Sequence, residues 1–163
     1  MNKYNKKYQK IVDELIKKSF PRLRGKWIVF FNFILYGNFI AQVLDFSFIK
    51  LIFVNPEKMN KCSKNDQRVI FIHELCHFER HMNRSFFEKI VFLVKYVFLK
   101  KTRRDEEKET DKLVIRKGYA KESYHQTKSF NSGHNKEFLK KVYATGYMNL
   151  KEIKDYAKKV GKW

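Results

Sequence analysis

Residues 70–81 of the chain read IFIHELCHFERH, and this stretch contains two histidines separated by one helical turn. His73 and His77 are at positions i and i+4, so on a helix their imidazoles stand on one face and can converge on one metal ion. Glu74 lies beside them, placed to take a proton from a water on that metal. The pattern therefore predicts a helical metal site suited to hydrolysis.

The chain before the motif predicts one helix and a small sheet. Apolar residues recur at helical spacing over residues 4–16 and indicate an amphipathic helix that ends before Pro21. Residues 27–54 are rich in aromatic and β-branched side chains but are broken by polar ones, which is typical of strands and not of a membrane span. Gly37-Asn38 between apolar runs suggests a hairpin turn, so we expect two or three strands.

The chain from the motif onward is predicted to be helical. Ser63 or Asn65 can cap the motif helix, which should continue to about Met82. Residues 105–117 and 135–159 also have helical patterns. With strands early and helices late, the fold class is predicted to be α+β: a small antiparallel or mixed sheet followed by the motif helix and a glutamate-containing helix.

Length and composition indicate the number of domains and the cellular location. A chain of 163 residues with 44% hydrophobic content is long enough for one core, so we expect a single domain over 1–163. Its core should lie at about 25–120, followed by a C-terminal helical segment at about 135–160. The two cysteines cannot build a disulfide framework, and no apolar signal core follows the basic N-terminus. These features favour a cytoplasmic location.

The formal net charge of +19 and one apolar segment leave several partners open. A field of that sign attracts nucleic acid, acidic lipid or acidic protein, although lysines spread along the chain also fit an ordinary solvated surface. Residues 85–100 are apolar but carry Glu88, Lys89 and Lys95, so they are too short and too charged to span a membrane. Burial or an interface role is favoured for this segment over contact with a membrane surface.

A third metal ligand is available downstream of the motif. A catalytic zinc ion takes three protein ligands and keeps one open position. Glu107 and Asp111 are one helical turn apart in the segment DEEKETDKL, so Glu107 could complete a His₂Glu site while Asp111 holds a ligand histidine by a hydrogen bond. The alternative for this segment is a solvated acidic first turn of a helix, favoured by the helix dipole.

The two segments together resemble the gluzincin metallopeptidases, which include thermolysin-like and HtpX-like enzymes. The stretch EKETDKLVIRKGY is similar to the glutamate helix of small prokaryotic members, the minigluzincins, apart from Thr110, where alanine is usual. The resemblance implies a minimal zincin-like domain that hydrolyses peptide bonds, with one catalytic Zn²⁺ held by His73, His77 and Glu107. Glu74 would be the general base that activates the metal-bound water, and Asp111 would be the hydrogen-bond partner of a ligand histidine.

The same resemblance implies how a peptide or protein substrate binds and how activity is held back. The strand before the metal helix forms the rim of the cleft in such enzymes, so the strand at 48–54 is the candidate for pairing with an extended peptide. Latency through a C-terminal segment that occupies the cleft, or through self-association, is a further expectation. Deletion of the residues after Gly146 would test the first of these.

A rival ligand and a non-catalytic function are kept as alternatives. The segment SGHNKEFLKKVY is similar to the part of SprT-like proteases that supplies their last histidine, so His134 could replace Glu107 in a DNA-associated protease. His134 could also stabilise an oxyanion, or simply lie in a capping loop beside Gly133. The other alternative to the gluzincin-type peptidase is a regulatory module that binds zinc but does not catalyse hydrolysis. His81 is expected to be exposed or to support a ligand, His125 to lie in a surface loop, and Cys76 to be a core residue.

Overall fold

The computed structural model describes residues 3–35 and 39–163, which form eight α-helices and three β-strands. The helices are α1 (Lys3–Ser19), α2 (Pro56–Lys61), α3 (Lys64–His81), α4 (Phe86–Phe98), α5 (Lys100–Arg116), α6 (Ala120–Ser132), α7 (Lys136–Ala144) and α8 (Leu150–Lys159). The strands are β1 (Trp27–Phe31), β2 (Ala41–Phe46) and β3 (Ile49–Val54). This architecture is α+β, as the order of strands and helices predicts.

The chain divides into two compact units, residues 1–89 and residues 90–163. In the first unit, α1 packs against β1 and α3, and α3 packs against β2. An aromatic cluster of Tyr8, Phe30 and Phe71 links α1, β1 and α3, with ring centroids between 5.5 and 6.1 Å apart. Such contacts add directional stabilisation to the burial of large apolar area. The single domain expected over 1–163 stays a prediction.

The sheet corrects one expectation about the strands. Its order is β1-β3-β2, with β1 parallel to β3 and β2 antiparallel to β3. The predicted hairpin turn at Gly37-Asn38 lies outside the described residues. Among the described residues, a hairpin joins β2 to β3 through Ser47 and Phe48. Because β3 is central and paired on both sides, the prediction that residues 48–54 offer an edge to a peptide is wrong.

A buried ionic cluster fixes the β2–β3 hairpin. The Asp45 carboxylate accepts hydrogen bonds at Oδ1 from Lys50 Nζ at 2.5 Å and from Lys89 Nζ at 3.0 Å. Lys50 also donates to the carbonyl of Ser47, a residue with φ of +63°. All three charged side chains are more than nine-tenths buried, so the carboxylate compensates ammonium groups that have lost their hydration.

The second unit is built around α5, α6 and α8. These helices pack on one another around a core of Ile115, Ala120, Met148, Ile153 and Ala157. The helical pattern predicted over 135–159 corresponds to two helices, α7 and α8, and Asn149 and Glu152 form a capping box at the start of α8. Because α8 supplies core residues, deletion of the chain after Gly146 would remove part of this core.

Helix α4 is not buried, so only the interface role remains a prediction from the preferred expectation of burial or an interface role. Lys89 is its only buried residue, and most of its apolar side chains are exposed. None of the described helices combines the length and the apolar character needed to cross a membrane.

Candidate metal centre

Helix α3 carries two histidines whose rings lie next to each other. Ser63 begins the helix by accepting a hydrogen bond from the backbone N–H of Asp66, so the predicted cap is confirmed. The Nε2 atoms of His73 and His77 lie 3.1 Å apart, and the two rings are nearly perpendicular at 79°. Two nitrogens on a tetrahedral zinc, each about 2.0–2.1 Å from the ion, would be about 3.3 Å apart. The imidazoles are therefore arranged as a pair that can share one cation.

The side chains around this pair on α3 are largely buried. Glu74 has 8% of its surface exposed, so this side chain is mostly shielded from bulk water. Cys76 is fully buried, which confirms it as a core residue. His81, one turn beyond His77, is 6% exposed, so the expectation of an exposed side chain there is wrong.

Helix α5 carries two adjacent buried carboxylates. It begins at Lys100, so Glu106 and Glu107 lie in its second turn and not in the solvated first turn offered as an alternative. Glu106 is 4% exposed and Glu107 is 2% exposed. Burial of an ionised carboxylate is costly unless hydrogen bonds or a cation compensate for the lost hydration. The two adjacent buried carboxylates of α5 therefore need partners that compensate for their lost hydration.

Hydroxyl groups reach both carboxylates. The phenol of Tyr96 donates a short hydrogen bond to Glu107 Oε1, and the Thr110 hydroxyl donates to Glu106 Oε1 at 3.3 Å. Thr110 is fully buried, so this hydrogen bond satisfies a hydroxyl group that has no access to water. Tyr96 lies eleven residues before Glu107, and no local spacing in the sequence links the two.

Asp111 has a partner inside the second unit. Its Oδ2 accepts a hydrogen bond from the backbone N–H of Met148 at 2.8 Å, just before the capping box of α8. This contact ties α5 to the segment that begins α8. The expected hydrogen bond from a ligand histidine to Asp111 stays a prediction.

His134 lies in a turn between two helix caps. Gly133 is the C-cap of α6 and Asn135 is the N-cap of α7, so the capping-loop interpretation is confirmed. The His134 ring is exposed, its Nδ1 lies 2.9 Å from the carbonyl oxygen of Phe130, and it stacks on Phe138 with a 4.6 Å centroid separation. His125 is exposed as expected, but on α6 and not in a loop.

Two sets of side chains among the described residues could hold a metal ion. One is His73, His77 and Glu107, and the other is His77, His81 and Glu106. His77 belongs to both sets, and the second set is displaced by one turn of α3 and one residue of α5 from the trio that the motif predicts. Its two other members, His81 and Glu106, lie outside the trio of ligands that the sequence predicts. They could be recognised from sequence only if their burial were known.

Comparison with models of protein families, with curated proteins and with solved structures found no match.

Proposed function

We propose that this protein is a zinc-dependent metalloendopeptidase of gluzincin type with a minimal zincin-like fold. The observation that carries the proposal is the convergence of the His73 and His77 Nε2 atoms at 3.1 Å on α3. With the Glu107 carboxylate they make a set of two imidazoles and one carboxylate, which is a donor set that zinc accepts. Three protein ligands would leave one tetrahedral position for catalysis.

The proposed reaction is hydrolysis of a peptide bond by water. A bound zinc ion would supply Lewis acidity toward the substrate carbonyl and a water of lowered pKa. Glu74 would take the proton from the attacking water and deliver it to the nitrogen of the leaving amine. Its position next to His73 in the chain and its shielding from bulk solvent support this role.

Burial and hydrogen bonding favour Glu107 over His134 as the third ligand. The Tyr96 phenol fixes one oxygen of the Glu107 carboxylate, which limits the directions the other oxygen can take. The His134 ring is exposed and stacked on a phenylalanine in a capping turn. The SprT-like alternative therefore lacks an observation in its favour, and nucleic-acid binding and self-association stay predictions.

Substrate pairing by strand addition would fall to an outer strand of the sheet. Because β3 already pairs with β1 and β2, an extended peptide could add only next to one of those two strands. Latency through the C-terminal segment is not part of the proposal, since the apolar side chains of α8 belong to the core of the second unit.

The test is the zinc content of purified variants, read beside hydrolysis of a quenched peptide. Glu107→Gln and His73→Ala should lose zinc, while Glu106→Gln and His81→Ala should keep it. Glu74→Gln should keep zinc and lose hydrolysis, because only the proton transfer is removed. The opposite pattern, with zinc lost in Glu106→Gln and His81→Ala, would assign the ion to the displaced set.

Two further outcomes would reject the gluzincin-type enzyme. Stoichiometric zinc without hydrolysis in the parent protein would indicate the regulatory module. Zinc loss in His134→Ala with zinc retained in Glu107→Gln would indicate the SprT-like site.

A further inference from the structure

Helix α4 turns its apolar side to solvent. Lys89, Phe92 and Tyr96, spaced three and four residues apart, are buried or half-buried and mark its inward side. The opposite side carries exposed apolar residues, and we call six of them the α4 apolar face: Phe86, Phe87, Ile90, Val91, Val94 and Phe98. Phe87 and Phe98 are each 77% exposed. Isolated apolar side chains on a surface are ordinary, but a continuous helical face of them marks an interaction site.

The charge next to this face identifies the partner. Lys100, Lys101 and Arg104 follow α4 directly at the start of α5, and all three are exposed. Apolar residues flanked by lysine and arginine are typical of helices that lie in the headgroup region of an anionic membrane. A second copy of this chain would bring another net charge of +19 against the same residues, which disfavours pairing through this face.

We infer that the α4 apolar face docks the protein on the surface of a bilayer containing anionic phospholipid. With 13 residues, α4 is shorter than the about 20 needed to cross the hydrocarbon core, so it would lie in the plane of the interface. Phenylalanines at its two ends would enter the acyl boundary, and the basic residues after it would contact lipid phosphates. This inference is independent of the proposed hydrolysis, because it uses neither histidines nor buried carboxylates.

The experiment measures sedimentation of the full chain with sucrose-loaded vesicles. The vesicles contain phosphatidylcholine alone or phosphatidylcholine with 30% phosphatidylglycerol, in buffer with 0.15 M salt. The charge-conserving variant Phe87→Ser/Val94→Ser/Phe98→Ser should lower the partition coefficient on anionic vesicles at least tenfold. The matched control is Trp27→Ser/Phe48→Ser, which removes one exposed aromatic side chain of β1 and one of the β2–β3 turn and should bind like the parent protein.

A second measurement separates insertion from general attraction of a basic protein. In Phe87→Trp, emission of the new tryptophan should shift to shorter wavelength and be quenched by brominated acyl chains. Lys100→Glu/Lys101→Glu should weaken binding to anionic vesicles while leaving the residual binding to neutral vesicles unchanged.

Three results would overturn the inference. They are equal binding of the serine variant and the parent protein, absence of quenching in Phe87→Trp, and a lipid-free dimer that dissociates in the serine variant. The last result would assign the α4 apolar face to a second copy of the chain. Far-ultraviolet circular dichroism of each variant checks that the helices are retained.

Discussion

The Tyr96 hydroxyl is the residue-scale contact with the clearest consequence for the proposed metal site. It donates to Glu107 Oε1 and so restricts the orientation of that carboxylate. Removal of such an outer hydrogen bond typically weakens metal binding by about 10–100-fold. We expect Tyr96→Phe to raise the dissociation constant for zinc at least about tenfold, measured by competition with a chromogenic chelator.

A matched control is Tyr143→Phe, which removes a phenol that donates to Asn131 in the same unit. Its zinc affinity should equal that of the parent protein. Equal affinity in both variants would mean that Glu107 does not hold the ion.

The Lys50 ammonium should make stability depend on alkaline pH. Burial lowers the pKa of Lys50, and the hydrogen bond and charge of Asp45 only partly oppose that effect. The unfolded chain then binds more protons than the folded one between the lowered pKa and the usual value of about 10.4, so stability rises with pH through that window. Relative to Lys50→Met, the urea midpoint of the parent protein should increase from pH 7 to pH 10.

Lys158→Met is the control for this measurement, because it removes one positive charge from an exposed position. A difference between parent and Lys50→Met that stays constant across the pH range would contradict the prediction.

Individual residues were predictable where chemistry follows local spacing. His73 and His77 converge because i and i+4 positions share a helix face, and this can be read from five letters of sequence. The Tyr96–Glu107 contact joins two helices, so its geometry depends on packing that no short pattern encodes. The expectation of an exposed His81 is wrong for the same reason, because burial depends on packing that the local sequence does not encode.

At the scale of elements, Gly146 controls how the turn after α7 approaches α5. Its φ is +117°, and a Cβ added there would lie 2.3 Å from the carbonyl oxygen of Arg104, a backbone atom of α5. Gly118 also has a positive φ, +91°, but an added Cβ would contact nothing within 4 Å.

We therefore expect Gly146→Ala to destabilise the protein more than Gly118→Ala. Left-handed strain alone costs about 1–2 kcal/mol, and the backbone clash adds to it only at Gly146. Urea unfolding of both variants measures the difference. Equal losses would show that the turn moves away from Arg104 without cost.

Helices with strong apolar periodicity or clear caps were predicted, and the others were not. The first helix, the motif helix and the glutamate helix correspond to α1, α3 and α5. The sequence predicts a loop around His125, because serine, threonine and asparagine interrupt the apolar spacing there. The structure has helix α6 instead, which packs against α5 and α8. The order β1-β3-β2 was also missed, since alternation along a strand does not specify its neighbours.

For the whole molecule, the proposed zinc site links metal concentration to stability. A ligand that binds only the folded state at one hundred times its dissociation constant stabilises by about 2.7 kcal/mol. We expect removal of zinc with a chelator to lower the melting temperature of the parent protein. His77→Ala, which lacks a residue common to both candidate sets, should melt at one temperature with or without the chelator. A chelator effect that persists in His77→Ala would place the metal elsewhere.

The position of β3 in the sheet also determines when the sheet can form during synthesis. Both β1 and β2 pair with β3, which is the last of the three strands to emerge from the ribosome. At translation rates of about 5–20 residues per second, β1 waits roughly 1–5 s for its partner. The sheet therefore cannot form before β3 is available. A nascent chain that stops before β3 contains β1 and β2 but not the strand with which both of them pair.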